Sequence, residues 1–139
     1  VEKVQSSNML RIQSRVGRVS SLIRGSTGKT LLAWQPEAFI AATLEQAFPD
    51  TEKGREERAC LGKNLEKIRA QGYCISISEQ DEGVASVCVP IRNNDGIAQY
   101  SLAIVGAEKR IREKGMAVIR EEVVRTGRRL EEERRLLPC

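Results

Sequence analysis

Four residues, Asn93-Asn94-Asp95-Gly96, separate two apolar runs, Val84 to Ile91 and Ile97 to Val105, and they constrain the fold more than any other feature of the chain. Asparagine, aspartate and glycine accept the backbone of a tight hairpin, so the two runs are predicted to be antiparallel strands. A further strand is predicted at Tyr73-Cys74-Ile75-Ser76-Ile77-Ser78, which alternates with period two: Tyr73, Ile75 and Ile77 on one face, Cys74, Ser76 and Ser78 on the other. Residues Val1 to Gln5 and Met9 to Val16 read as another hairpin about Ser6-Ser7-Asn8. Between and after these lie helices: about Thr27 to Gln35, Pro36-Glu37 to Ala47, Glu56 to Gln71 with a stop at Gly72, and about Ile111 to Arg134. The last aligns Ile111, Gly115, Val118, Ile119, Val123 and Leu130 on one stripe. Strands joined by hairpins rather than crossovers, with helices around them, give an α+β fold with an antiparallel sheet.

A chain of 139 residues makes one domain, and it has no apolar run long enough to cross a bilayer. Val1-Glu2-Lys3-Val4 begins as a strand, with neither a start methionine nor a signal sequence, so an excised piece of a longer protein is expected. The absence of histidine excludes serine–histidine and cysteine–histidine nucleophiles and the commonest zinc ligand. Cys60, Cys74, Cys88 and Cys139 form no Cys-x-x-Cys pair; buried, reduced thiols of a cytosolic protein are expected rather than a disulfide framework. The net charge of +4 does not make a nucleic-acid surface, because the basic residues of Lys109 to Arg135 are interleaved with acids. Glu108 with Arg112, Glu121 with Arg125 and Glu131 with Arg135 have instead the order that supports an exposed helix face.

Gly25-Ser26-Thr27-Gly28-Lys29-Thr30, leading into Leu31-Leu32-Ala33-Trp34, has the look of a phosphate loop. The spacing refutes it, since Ile23 stands where that loop needs its first glycine. Two readings remain: a helix start, capped by Ser26 or Thr27, whose free N–H groups hold a carboxylate, or an ordinary capped helix that binds nothing. The Cys74, Ser76, Ser78 face and the Ser86, Cys88 face are built of small residues, which line a cavity or equally well meet a closely packed helix or solvent.

Several segments in order resemble the effector-binding domain of IclR-type bacterial transcription regulators. Asn8-Met9-Leu10-Arg11-Ile12 through Gly17 is similar to that family's first strand and loop, and Gly25 to Ala33 to its Gly-Lys helix start. Leu65-Glu66-Lys67-Ile68-Arg69-Ala70-Gln71-Gly72-Tyr73 resembles its helix-to-strand junction. Glu79 to Gly83, Val89-Pro90-Ile91 with Asn93 to Gly96, and Leu102 to Gly106 resemble its acidic link, hairpin and closing strand.

The resemblance implies a GAF-like or profilin-like domain over residues 1–133, a C-terminal tail over 134–139, and a pocket on one sheet face. It implies that DNA is read only by an N-terminal winged helix-turn-helix domain, missing here, of a cytoplasmic homodimer or homotetramer with no membrane association. The effector would be a small carboxylate or aromatic acid. The implied pocket comprises backbone N–H groups at Ser26 and Thr27, the side chains of Ser76 and Ser86, closing-strand positions Ala103 and Val105, and an apolar wall of Leu10, Ile12 and Val84. Relatives that bind small keto acids have an acid, a cysteine and two serines where this chain has Ser76, Ser86, Ala103 and Val105. Gln80 replaces a histidine frequent in the acidic link, so the zinc site of some relatives cannot form. No cofactor, metal or catalytic residue is expected. Two other readings stand beside this one: a small enzyme using Lys29 with Ser26 or Thr27, and a domain that only oligomerises.

Overall fold

The computed structural model describes residue 4 and residues 16–136. But for Val4 and Val16, the hairpin expected over residues 1–16 lies outside the described residues, as do Leu10, Ile12 and Cys139.

The Asn93–Gly96 hairpin forms as expected. Asn93 Oδ1 accepts from the N–H groups of Asp95 and Ile97 at 3.0 and 2.9 Å, a side-chain amide closing the turn from within. β1 (Cys74–Ile77), β2 (Val84–Arg92) and β3 (Ala98–Ala107) form an antiparallel sheet in the order β1-β2-β3. The register sets Cys74, Cys88 and Ala103 side by side, and Ser76, Ser86 and Val105 in the next row. Cross-strand partners share a face, so these small residues make one side of the sheet, and Ile75, Val87, Val89 and Leu102 the other.

Each face is covered by helix. α1 (Gly25–Ala33) lies on the small-residue face and packs in turn on α3 (Glu52–Gln71). Leu32, Ala33 and Trp34 at its C-terminal end share a buried cluster with Leu65, Ile68, Cys74 and Ala98, to which α2 (Glu37–Ala47) adds Leu44. Gln35 Nε2 donates to the carbonyls of Leu31 and Ala98 at 3.0 and 2.8 Å, which pins the end of α1 to the start of β3. On the opposite face, Val87 and Val89 pack with Val123, Ile119 and Met116 of α5 (Met116–Leu136), which follows the short α4 (Glu108–Lys114).

Several boundaries differ from expectation. α3 begins at Glu52 rather than about Glu56, because Thr51 Oγ1 accepts from the Gly54 N–H at 3.1 Å and caps a turn further upstream. The single final helix is two: Gly115, at φ +91, ends α4, and α5 restarts in a new phase. Val118 and Leu130, expected on the buried stripe, are therefore exposed, and the inward row runs through Met116, Ile119, Val123, Gly127 and Glu131. A Cβ on Gly127 would stand 2.6 Å from Val89 Cγ2, so glycine permits this close approach of helix to sheet. The helix continues to Leu136, through residues 134–136 of the expected tail. Of the cysteines expected to be buried, Cys74 and Cys88 are, whereas Cys60 is exposed on α3.

The same phase reassigns the ion pairs. Glu108 and Arg112 pair as expected at 2.7 Å, but Arg125 takes Glu122 at 2.5 Å in place of Glu121. Glu131, expected to pair with Arg135 on an exposed face, is buried and turned into the sheet, where its carboxylate accepts from the backbone N–H, Nε and Nη2 of Arg92 at 2.9, 2.8 and 3.0 Å. Burial works against its ionisation, yet these bonds and the guanidinium charge hold its carboxyl below the usual range. Glu131→Ala is expected to cost about 1.5 to 3 kcal/mol, the range for hydrogen bonds to a charged group, in urea-unfolding free energy. A loss under about 0.5 kcal/mol, the scatter of ordinary surface substitutions, would show that this clamp does not hold α5 to the sheet.

Candidate functional site

The sheet face that meets α1 has no large side chain in its first two rows, and this lets the helix approach until hydroxyls touch. Ser26 Oγ lies 2.6 Å from Ser86 Oγ. Of the roles left open for the small residues, close packing of a helix is therefore the one realised beneath the start of α1. Burial pushes the Cys74 thiol up to about 11 and the Cys88 thiol upward as well, so neither is a ready thiolate at neutral pH.

The start of α1 is occupied by an acid of the chain itself. Glu79, in the link between β1 and β2, places Oε1 3.2 Å from the Gly25 N–H and Oε2 2.7 Å from Lys29 Nζ, and Ser76 Oγ donates to Oε2 at 2.9 Å. A helix N-terminus offers unpaired N–H groups and a positive dipole end, so a carboxylate is the natural occupant. Partial burial of Glu79 favours its neutral form, but the bonds from Lys29 and Ser76, the lysine charge and the Gly25 N–H prevail and hold the carboxyl below its usual range.

This arrangement explains why the helix starts where it does. It begins at Gly25, after Arg24 and with no local side-chain cap, so Ser26 and Thr27 sit inside the first turn rather than at the cap. Glu79 supplies from a distant segment the acceptor that a cap residue would give. Gly25 has φ +69, and a Cβ there would lie 2.7 Å from Gln80 Cδ. The positive φ demands glycine, whereas the Gln80 amide, at the end of an exposed flexible side chain, could move aside.

The link that carries Glu79 is itself tied down. Ser78, a non-glycine residue at φ +52, donates its N–H to the Val84 carbonyl at 2.8 Å. Its Oγ accepts from the Gly83 N–H at 3.0 Å, and the Glu108 N–H, at the start of α4, donates to the Gly83 carbonyl at 2.7 Å.

The expected site residues are distributed as follows. Ser26 and Ser76 are buried and Ser86 is half-buried; Ser26 is in the first turn of α1 and the other two lie on the sheet beneath it. Thr27 is exposed, on the outer side of the same turn. Ala103 and Val84 are half-buried, and Val105, in the row of Ser76 and Ser86, is 46% exposed. Glu79, the residue on which the geometry converges, stands in the sequence only as one acid of a polar link. Lys29, 9% exposed, is engaged with it and not poised as a nucleophile. Among the described residues, no three of His, Cys, Asp and Glu group where a metal ion could be held. Two open grooves lie outside this place: about 520 Å³ between residues 21–23, just before α1, and α2, and about 550 Å³ along α5 beside Tyr73.

Comparison with known proteins gives one consistent result. The family model described as "Bacterial transcriptional regulator IclR C-terminal" matches residues 1–132. The chain is similar to the HTH-type transcriptional regulator XynR of Escherichia coli, 30% identical over 129 residues that make up 91% of this chain and 51% of that protein. It is 32% identical over 106 residues to the HTH-type transcriptional regulator KdgR of the same organism, covering 75% of this chain and 40% of the relative. In fold it resembles Pseudomonas aeruginosa HmgR, with a TM-score of 0.77 and 23% identity over 94% of this chain and 51% of that one. The chain thus spans about half the length of the curated relatives it matches.

The lowered Glu79 carboxyl fixes a sign for acid stability. The folded state favours the ionised form, so the stabilisation is complete above about pH 4.5 and is lost as the pH falls through the lower folded value. Glu79→Gln is expected to be less stable than the parent at pH 7 and to differ from it less at pH 3, measured by chemical denaturation. An equal difference at both pH values would show that ionised Glu79 does not hold α1 to the link.

Proposed function

Because the chain belongs to the IclR C-terminal family of bacterial transcription regulators, we propose that it senses a small organic acid, aliphatic or aromatic, at the start of α1. The domain is the effector-binding part of a regulator and not an enzyme. Occupancy would shift the balance between two arrangements of a cytoplasmic homodimer or homotetramer, by as much as the effector's affinities for the two differ. DNA reading then belongs to a separate N-terminal winged helix-turn-helix domain. The dispersed basic residues of α4 and α5 accord with that division of labour. No helix among the described residues is long and apolar enough to cross a membrane.

The observation that carries this reading is the chemistry around Lys29: a backbone N–H at Gly25, an ammonium and the Ser76 hydroxyl converge on one carboxylate-sized place. An effector carboxylate would take that place, or the adjacent N–H groups of Ser26 and Thr27, where the helix dipole contributes about 0.3 to 2 kcal/mol. Val84, Ala103 and Val105, with Leu10 and Ile12, would supply the apolar wall, and each buried methylene adds about 0.8 kcal/mol.

A keto acid of two or three carbons would leave that wall in water. Benzoate is therefore expected to bind about tenfold or more tightly than pyruvate or glyoxylate in calorimetric titration, since about 1.4 kcal/mol suffices for that ratio. Ala103→Trp is expected to abolish binding while the sheet stays folded by circular dichroism. Preference for pyruvate, or unchanged affinity in Ala103→Trp, would place the ligand elsewhere.

A further inference from the structure

We propose that Glu79 is an internal stand-in for the effector's anionic group, and that an acid binds at Lys29 only by exchanging with it. The inference rests on the effector-sensing reading and adds the regulation of that site.

Three features carry the exchange. First, the place is built for a carboxylate and is filled by one, with the Gly25 N–H, Lys29 Nζ and Ser76 Oγ all directed at Glu79. Second, the two partners are unequally exposed: the Lys29 side chain retains 11% of its accessible surface, and that of Glu79 retains 32%. Glu79 lies near enough to water to turn out into it, whereas the lysine cannot follow and is left needing another anion. Third, Glu79 follows directly on Ser78, whose φ of +52 is a costly conformation for a residue with a side chain. That turn is held by Ser78's own bonds to Val84 and Gly83, so the Glu79 side chain can leave without unmaking it.

The exchange has a route outward. The link is joined to the start of α4 by the Glu108 N–H on the Gly83 carbonyl at 2.7 Å and by Ser78 Oγ donating to Glu108 Oε2 at 3.3 Å. Moving Glu79 therefore bears on α4, and through Gly115 on α5. In the absence of effector, Glu79 holds the link against α1. An effector takes over Lys29 and sets the link free.

The test titrates the parent chain, Glu79→Gln and Glu79→Asp with benzoate and with its uncharged amide, benzamide. Glutamine removes the competing charge, so benzoate is expected to bind about tenfold or more tightly to Glu79→Gln, in line with the strength of a charged hydrogen bond, and benzamide to be unaffected. Aspartate, one methylene shorter, cannot span Gly25 and Lys29 as glutamate does and is expected to fall between. Equal or weaker benzoate binding in Glu79→Gln overturns the exchange while leaving the sensing reading in place. Tighter binding of both compounds overturns it too, as the gain is then of space and not of charge. Benzoate binding to no variant overturns both readings. Should Glu79→Gln fail to fold, the ratio of Glu79→Asp to parent decides in the same way.

Discussion

The interaction on which the rest of this structure depends is the carboxylate of Glu79 held between Lys29 and the first N–H of α1. It joins a helix to a strand link 50 residues away, and it settles three matters at once. α1 needs no local cap, Lys29 can lie at 9% exposure without an unpaired charge, and the β1–β2 link is held over the small-residue face. A nearly buried ammonium without a partner would be costly, so the lysine and its acid stand or fall together.

Around that pair, the sheet works as a partition. Its small-residue face admits α1 closely enough for Ser26 and Ser86 to share a hydrogen bond, while its β-branched face packs α5 through Val87, Val89 and Val123. Arg92 and Glu131 clamp the second interface as Lys29 and Glu79 clamp the first. The two clamps differ in exposure of the acid: Glu131 is buried to 9% of its side-chain surface, whereas Glu79 keeps 32%. The Arg92–Glu131 clamp is shut in from water, and the Lys29–Glu79 clamp is the one that the proposed exchange would open.

Much of this was legible in the chain itself. The Asn93–Gly96 turn, the period-two run about Ile75 and the Gly72 stop follow from local backbone preference, and each formed where it was expected. A helix start near Ser26 and Thr27 was legible as one that holds either a carboxylate or nothing, because free N–H groups belong to any helix; that it falls at Gly25 was not. That the occupant would be Glu79 was not legible, since the pairing is made by the fold and not by spacing along the chain. The phase of α5 was hidden for a related reason. Gly115 reads as one more small residue on an apolar stripe, and only its positive φ, set by the chain's return to the sheet, turns Glu131 inward and Leu130 outward. Thr51 is a cap residue by type, but the apolar stripe of α3 begins only at Leu61 and leaves the helix's first turns unmarked.

The central claim is that Lys29 passes from an internal to an external carboxylate when the effector binds. A crystal structure of the chain with an aromatic acid bound tests it most directly. The account predicts the ligand's carboxylate within hydrogen-bond distance of Lys29 Nζ and the Gly25 N–H, with Glu79 turned to solvent. A bound acid elsewhere on the domain, with Glu79 still on Lys29, would contradict it.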